Sequence, residues 1–291
     1  MAGRAVLSPP CASVGRAVPS PPRRSEDTAP YPGAPRILFT TLRRHPLRVV
    51  GRLLWLSAEF SLAAVDYAVH VAPGRSDSRR VSRCSWLERS CRRMLRVFNL
   101  ELRASGAIPT RGLLVCNHLS YLDILALGAL APGAFVAKRE VKAWPVLGWF
   151  ARLAGTLFVH REKRHDVGRA AAEIEAALDQ GGLVVLFPEG TSSGGETVLP
   201  FKSALLAPAA RREHPLTAAF IRYALADGSV PDEVCYWRDM TLVPHLLNLL
   251  GKQGVSARVF FAGLPQPRRD RKELARQLHA EVLRLKKSAV A

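Results

Sequence analysis

This chain of 291 residues is poor in the features that staple or anchor a protein. Its five cysteines (Cys11, Cys84, Cys91, Cys116, Cys235) are scattered, and no two form a Cys-x-x-Cys pair. That argues against a disulfide framework and for reduced thiols in a cytosol-facing protein. The eight histidines show no clustered ligand spacing with Cys, Asp or Glu, so no metal is expected. Neither a zinc-ligand pattern nor a stacking-aromatic signature appears, so no nucleic-acid partner is expected. No apolar core follows Met1 before Pro9-Pro10, which argues against a signal peptide. Acidic residues are scarce: 24 Asp and Glu face 42 Lys and Arg, a net charge of +18. The imbalance is steepest in residues 1–110, with 18 basic residues against 7 acidic. Such a surface suits an anionic membrane or phosphorylated substrates. In the N-terminal tail a compositional arginine bias accounts for it equally well.

What the chain does have is apolar content, 48% hydrophobic, enough for one sizeable core with appendages. Residues 1–35 hold eight of the 21 prolines and read as a disordered Pro/Arg-rich tail. Residues 36–75 read as a membrane-associating helical segment. Within it, 47–72 forms one long apolar helix interrupted by Arg52, Glu59 and Asp66. Their seven-residue spacing puts all three on one stripe and leaves a broad apolar face. A span needs about 20 mainly apolar residues and would place two carboxylates near the bilayer centre. A helix lying in the membrane interface fits better. A single span and a plain core helix remain the alternatives.

From residue 112 strands and helices alternate. The strands expected are 112–117, 133–137, 156–160, 183–187, 216–222, 233–237 and 257–262. The helices expected are 120–130, 144–153, 166–180, 202–211, 241–250 and 270–287. The clearest helix carries Val167, Ala170, Ala171, Ile174, Ala177 and Leu178 on one stripe and stops at Gly181-Gly182. Strands separated by helices predict an α/β fold, its sheet mainly parallel and covered on both faces.

The chemistry gathers at Asn117-His118-Leu119-Ser120-Tyr121-Leu122-Asp123. A neutral imidazole takes a proton from a hydroxyl, and a carboxylate on its other nitrogen fixes the tautomer. Leu113-Leu114-Val115-Cys116 reads as a buried strand and Ser120 as a helix N-cap, so Asp123 folds back one turn toward His118. Cys116 reads as a small strand residue pointing away from Asn117.

Further blocks follow: Lys138-Arg139-Glu140, Trp144-Pro145-Val146-Leu147-Gly148, Gly155-Thr156-Leu157-Phe158-Val159-His160-Arg161, Phe187-Pro188-Glu189-Gly190-Thr191 and Phe201-Lys202. In this order and spacing, over roughly residues 95 to 225, they resemble the phospholipid/glycerol acyltransferase family. The resemblance implies a mixed sheet flanked by helices and an acyltransferase domain over 76–291. It implies transfer of an acyl group from acyl-CoA or acyl-carrier protein to a lysolipid hydroxyl, at the cytoplasmic face of the membrane. No cofactor is implied, because a thioester is already activated.

The resemblance also carries site roles. His118 would be the general base and Asp123 its orienter, with Asn117 holding the loop or contacting substrate. Arg161 stands where the family binds the acceptor's phosphate; a solvated arginine is the alternative. Glu189 supports acceptor binding in the family, and a carboxylate there calls for a basic or hydroxyl partner. Gly190 permits a tight turn, Thr191 follows it, and Lys202 adds positive charge or lies on the surface. Lys163 and Arg164 are weaker candidates.

The sequence departs from the pattern at Ser192, where a basic residue is common, and at Ser203, where Gly is common. That variant resembles the branch containing lyso-ornithine lipid acyltransferases. The basic residues Arg161, Arg164 and Lys202 tilt the expectation toward 1-acyl-glycerol-3-phosphate as acceptor. Gly190-Thr191-Ser192-Ser193-Gly194 also matches a G-x-S-x-G nucleophile elbow, with His245 downstream. An elbow needs a helix directly after the serine, and Gly194, Gly195 and Pro200 oppose one. A non-catalytic membrane protein on the same fold is the third class, opposed by the intact His118–Asp123 motif. Pro231 to Leu250, with His245, reads as structural packing or an entrance to the acceptor site.

Overall fold

The computed structural model describes residues 44–74, 76–160 and 164–290, with backbone alone at 76–78, 164 and 290. The expected disordered tail and Arg161 lie outside the described residues. Seven strands form one sheet: β1 (Leu100–Ser105), β2 (Gly112–Cys116), β3 (Ala134–Lys138), β4 (Leu157–Val159), β5 (Leu183–Leu186), β6 (Leu216–Leu225) and β7 (Val255–Gly263). Their spatial order is β1-β7-β6-β2-β5-β3-β4. Every neighbouring pair is parallel except β6 and β7.

Alternation along the strands divides the interior in two. Leu114, Cys116, Val185, Ala219 and Ile221 enter one core. It is covered by α1 (Pro46–His70), α2 (Ser76–Val97), α3 (Leu122–Leu130) and α8 (Leu242–Gly251). Leu113, Val115, Val184, Leu186 and Ala218 enter the other. That face is covered by α5 (Arg164–Asp179), α6 (Ala207–Arg211) and α9 (Arg271–Val290). α4 (Leu147–Leu153) and α7 (Val230–Glu233) are short.

Helix α1 is built inside out. Its charged stripe faces the protein: Glu59 pairs with Arg93 of α2 at 3.0 Å and Asp66 with Arg89 at 2.9 Å. Arg52 donates to the carbonyls of Leu250 and Gln253 just at and beyond the end of α8, and Arg48 donates to Gly251. Cations suit a helix C-terminus, whose last carbonyls lack helical partners. Between the charges, Val49, Leu56 and Ala63 pack inward. Leu47, Val50, Leu54, Leu62, Val65 and Val69 are left facing outward, each at least 49% exposed. Among the described residues no helix is long and apolar enough to cross a membrane.

Several expectations need correction. Residues 233–237 form no strand, because Pro231 opens α7 and the Tyr236 N–H goes to the Leu119 carbonyl. Ser120 is not the N-cap of α3; Tyr121 holds that position without a side-chain cap. The stretch 144–153 begins with a turn at Val146, φ 59°, before α4, and 202–211 begins as a 3₁₀ turn before α6. Helix α2 and strand β1 were not foreseen. α2 is a polar, Arg/Ser-rich sequence whose narrow stripe of Trp86, Leu87, Cys91, Met94 and Leu95 is fully buried.

Trp86 pins α1 to α2, donating from its indole nitrogen to the Ala63 carbonyl at 2.8 Å with its ring fully buried. Trp86→Ala should cost about 3–5 kcal/mol in urea unfolding, as large core truncations do. Trp86→Phe, which keeps bulk and loses the hydrogen bond, should cost about 1–3 kcal/mol. Equal losses would show that the ring volume contributes nothing.

Candidate active site

The carboxyl ends of β2 and β5 lie side by side, since Val115 pairs with Leu186. The chain leaves β2 at Cys116 and reaches α3 within six residues. In that short loop His118 Nδ1 meets Asp123 Oδ2 at 2.8 Å. A carboxylate oxygen accepts, so Nδ1 carries the hydrogen and Nε2 presents its lone pair. The imidazole stacks on Phe187 of the neighbouring strand end, centroids 4.2 Å apart and planes at 17°. Its side chain keeps 22% exposure, whereas Asp123 has none.

Asp123 is buried without being deprived of donors. Its Oδ2 also accepts the N–H of Leu119 at 2.6 Å and of Ser120 at 3.0 Å. Its Oδ1 accepts the Tyr223 hydroxyl at 2.7 Å. Burial, then the adjacent Asp123 charge, pushes the Tyr223 phenol far above its ordinary value, so that hydroxyl stays a donor. Tyr223 was missed in the sequence; strand alternation places it inward beside Ile221, but its partner lies 100 residues away.

Asn117 is spent on architecture. Its amide donates to the Ile221 carbonyl at 3.0 Å and accepts the Ile221 N–H at 2.8 Å, extending the β2–β6 pairing past the end of β2. Both ends of the amide are thus engaged inside the protein, and at 2% exposure it has little surface to offer a substrate. Cys116 is fully buried in the core beneath α3, and burial pushes its thiol well above its ordinary value, with the Asp123 and Glu189 charges adding to that. It is no nucleophile.

Glu189 was expected to meet a basic side chain or a hydroxyl. It meets two backbone N–H groups instead: His118 at 3.1 Å through Oε1 and Leu199 at 3.3 Å through Oε2. The carboxyl bridges the His118 loop to the segment before Phe201. Two more threads tie this region together: the Ser193 N–H donates to the His118 carbonyl at 3.0 Å and the Tyr236 N–H to the Leu119 carbonyl at 2.8 Å. Gly190 turns at φ 78°, its N–H taken by the Phe187 carbonyl, and Thr191 is exposed. Lys202 donates its N–H to the Pro188 carbonyl, and its exposed side chain lines a cavity of about 90 Å³ with Val167, Leu186, Phe187 and Leu205.

Ser192 gives its hydroxyl to the Tyr236 carbonyl, and no helix follows it before Ala204. The nucleophile-elbow alternative fails on both counts. His245 belongs to a different chain of bonds. Its Nε2 donates to the Cys235 carbonyl at 3.1 Å and its Nδ1 accepts the Tyr121 hydroxyl at 3.0 Å. Burial, partly offset by the Cys235 carbonyl, pulls its value down to about 4, which suits a neutral structural role.

Burial raises the Glu189 carboxyl from 4.5 to about 7, against the two backbone donors. A carboxyl raised on folding takes up a proton, so its contribution is fully present below about 4.5 and lost as pH climbs through about 7. Glu189→Gln removes that titration and should flatten the loss of unfolding free energy between these pH values. The amide also turns a donor toward one N–H, so turnover should fall by about 10²-fold through a shifted loop. An unchanged pH slope in the variant would show that Glu189 titrates as an ordinary carboxyl.

Comparison with known proteins converges on this region. Residues 99–221 match the family model described as Acyltransferase. The lyso-ornithine lipid O-acyltransferase of Pseudomonas aeruginosa is 35% identical over 238 residues, 80% of this chain and 86% of its own. The 1-acyl-sn-glycerol-3-phosphate acyltransferase of Neisseria gonorrhoeae is 36% identical over 145 residues, 46% of this chain and 56% of its own. Among solved structures, the 1-acyl-sn-glycerophosphate acyltransferase PlsC of Thermotoga maritima superposes with a TM-score of 0.52 at 22% identity. That match covers 82% of this chain and 98% of the other and shows the shared fold. With the family match spanning the His118 loop and the Glu189 turn, and the Pseudomonas relative matched over most of both chains, the chain belongs to the acyltransferase family.

Proposed function

We propose that this enzyme moves a fatty acyl group from a thioester donor, acyl-CoA or acyl-carrier protein, to the hydroxyl of a lysolipid. The observation that carries this reading is the His118–Asp123 pair, with Nε2 open at the carboxyl edge of the sheet. Nε2 takes the hydroxyl proton as the acceptor oxygen attacks the thioester carbonyl. The tetrahedral intermediate then expels the thiolate, which recovers the proton from the imidazolium. One C–O bond forms, one C–S bond breaks, and His118 ends as it began. Asp123 fixes the tautomer and stabilises the imidazolium between these steps. No metal or prosthetic group enters the step, because the thioester already supplies the activation.

For the acceptor, a lyso-amino-lipid of the lyso-ornithine type is favoured. The relative similar over most of its length carries that name, and the side chain at position 192 is a neutral serine turned inward to Tyr236. A lysophosphatidic acid is the second reading, supported by the shorter match to the gonococcal enzyme and by Arg161 in the chain. The enzyme works at the cytoplasmic face of a membrane, held there by the outward apolar stripe of α1, whose charges turn inward and whose exposed Ser57 and Ser61 spend their hydroxyls on the helix's own carbonyls.

His118→Ala should lower acyl transfer by about 10²–10⁴-fold, read as free thiol released, with the far-ultraviolet spectrum unchanged. Near-normal turnover would end the assignment. The wild type offered one acyl donor and a panel of lysolipids should acylate lyso-ornithine lipid ahead of lysophosphatidic acid; the reverse order selects the second reading. For the membrane, the triple substitution Leu54→Glu, Leu62→Glu, Val65→Glu should release the protein from sedimented vesicles while detergent-dispersed substrate is still turned over. Retention on the vesicles would place the anchor elsewhere.

A further inference from the structure

Three arginines form one row across neighbouring strands: Arg103 on β1 is paired with Arg258 on β7, and Arg258 with Arg222 on β6. All three project from the same face of the sheet, because Leu100, Ala257, Val259, Ile221 and Tyr223 beside them enter the other core. Adjacent strands lie about 4.8 Å apart, so three cationic residues occupy about 10 Å of sheet. Like charges directly opposite one another destabilise a sheet. Relief is partial. Arg103 pairs with Glu101 at 2.5 Å, and Arg222 donates to the Ala289 carbonyl near the end of α9. Arg258, in the middle and exposed, has no partner among the described residues.

The row starts beside the active site. Arg222 follows Ile221, whose backbone clamps Asn117 next to His118. It also lies on the sheet face opposite the one covered by α1, so the apolar stripe and the arginines serve different surroundings. Spread over three strands, with Arg103 and Arg258 exposed and Arg222 half-buried, it suits an extended acidic surface more than the enclosed donors a single phosphate needs. Carboxylates one turn apart on a helix are about 6 Å from each other, a spacing this row can match.

We propose that the arginine row Arg222–Arg258–Arg103 docks an acidic carrier protein that delivers the acyl chain as a thioester to His118. This rests on the thioester-dependent reading of the active site and names its donor class. Docking of this kind acts on encounter and is weakened by salt.

The test uses the full-length protein with two donors of the same acyl chain, one on acyl-carrier protein and one on coenzyme A. Arg258→Glu should lower kcat/KM for the carrier-bound donor about tenfold through KM, with kcat and the coenzyme A reaction unchanged. Arg258→Gln should show a smaller loss in the same direction, and moderate salt should reproduce it in the wild type. Equal losses with both donors, or none with either, overturn the proposal. Binding of the unacylated carrier protein, measured by fluorescence anisotropy, gives a readout independent of turnover. Binding that Arg258→Glu abolishes upholds the docking surface even if every lysolipid offered fails, a result that would sink only the acyl-transfer reading. No wild-type binding overturns the docking surface even if acyl-CoA is used. Loss of binding to anionic vesicles with carrier binding intact would assign the row to lipid and likewise overturn it.

Discussion

Placing a carboxylate with no exposure at the end of a strand is the constraint on which this molecule turns. An isolated buried charge costs far more than a domain can spare, and only donors arranged beforehand make it tolerable. Asp123 receives four, from the His118 ring, the backbone of Leu119 and Ser120, and the Tyr223 hydroxyl. Those contacts dictate the tight loop after β2, the start of α3 and the register of β6. Glu189 repeats the solution one strand away with two donors, and burial raises its carboxyl against them. The imidazole sits between the two acids, held by one through its ring and by the other through its backbone.

The same logic governs α1 at larger scale. A helix with charges on one stripe and apolar residues on the rest is expected to turn its charges to water. Here the guanidinium and carboxylate groups are consumed by α2 and by the C-terminus of α8, and the apolar side faces out. That outward apolar side is the feature on which the proposed anchor rests.

Much of the site was readable because its parts are local. His118 and Asp123 are five residues apart, and the apolar run before them could only be a strand. The alternation of elements from residue 112 gave the covered, mainly parallel sheet, and Gly181-Gly182 marked the end of α5. What escaped was non-local or disguised. Helix α2 hides a narrow buried stripe in an arginine-rich stretch, and β1 is polar on the face that carries Glu101 and Arg103. The strand expected at 233–237 failed because its amide at Tyr236 is claimed by the Leu119 carbonyl of the His118 loop, a demand no local pattern records. Glu189 was expected to meet a basic side chain or a hydroxyl; its hydrogen-bond donors are backbone groups, which every residue possesses and no sequence motif can flag.

Tyr223 has a consequence for the order in which the molecule comes into being. During synthesis α1 emerges before any strand of the sheet, so its apolar stripe is exposed long before the sheet exists. The His118 loop follows, but its carboxylate lacks a donor until β6 has emerged 100 residues later, and β1 finds β7 only when residues past 255 appear. Closing loops of that length is slow, and the chain waits meanwhile with part of its sheet unpaired. On the anchoring and general-base roles proposed above, the nascent enzyme would be moored before it is competent: a lipid surface would meet an inert helix, and the His118 site would be assembled only on a chain already in place.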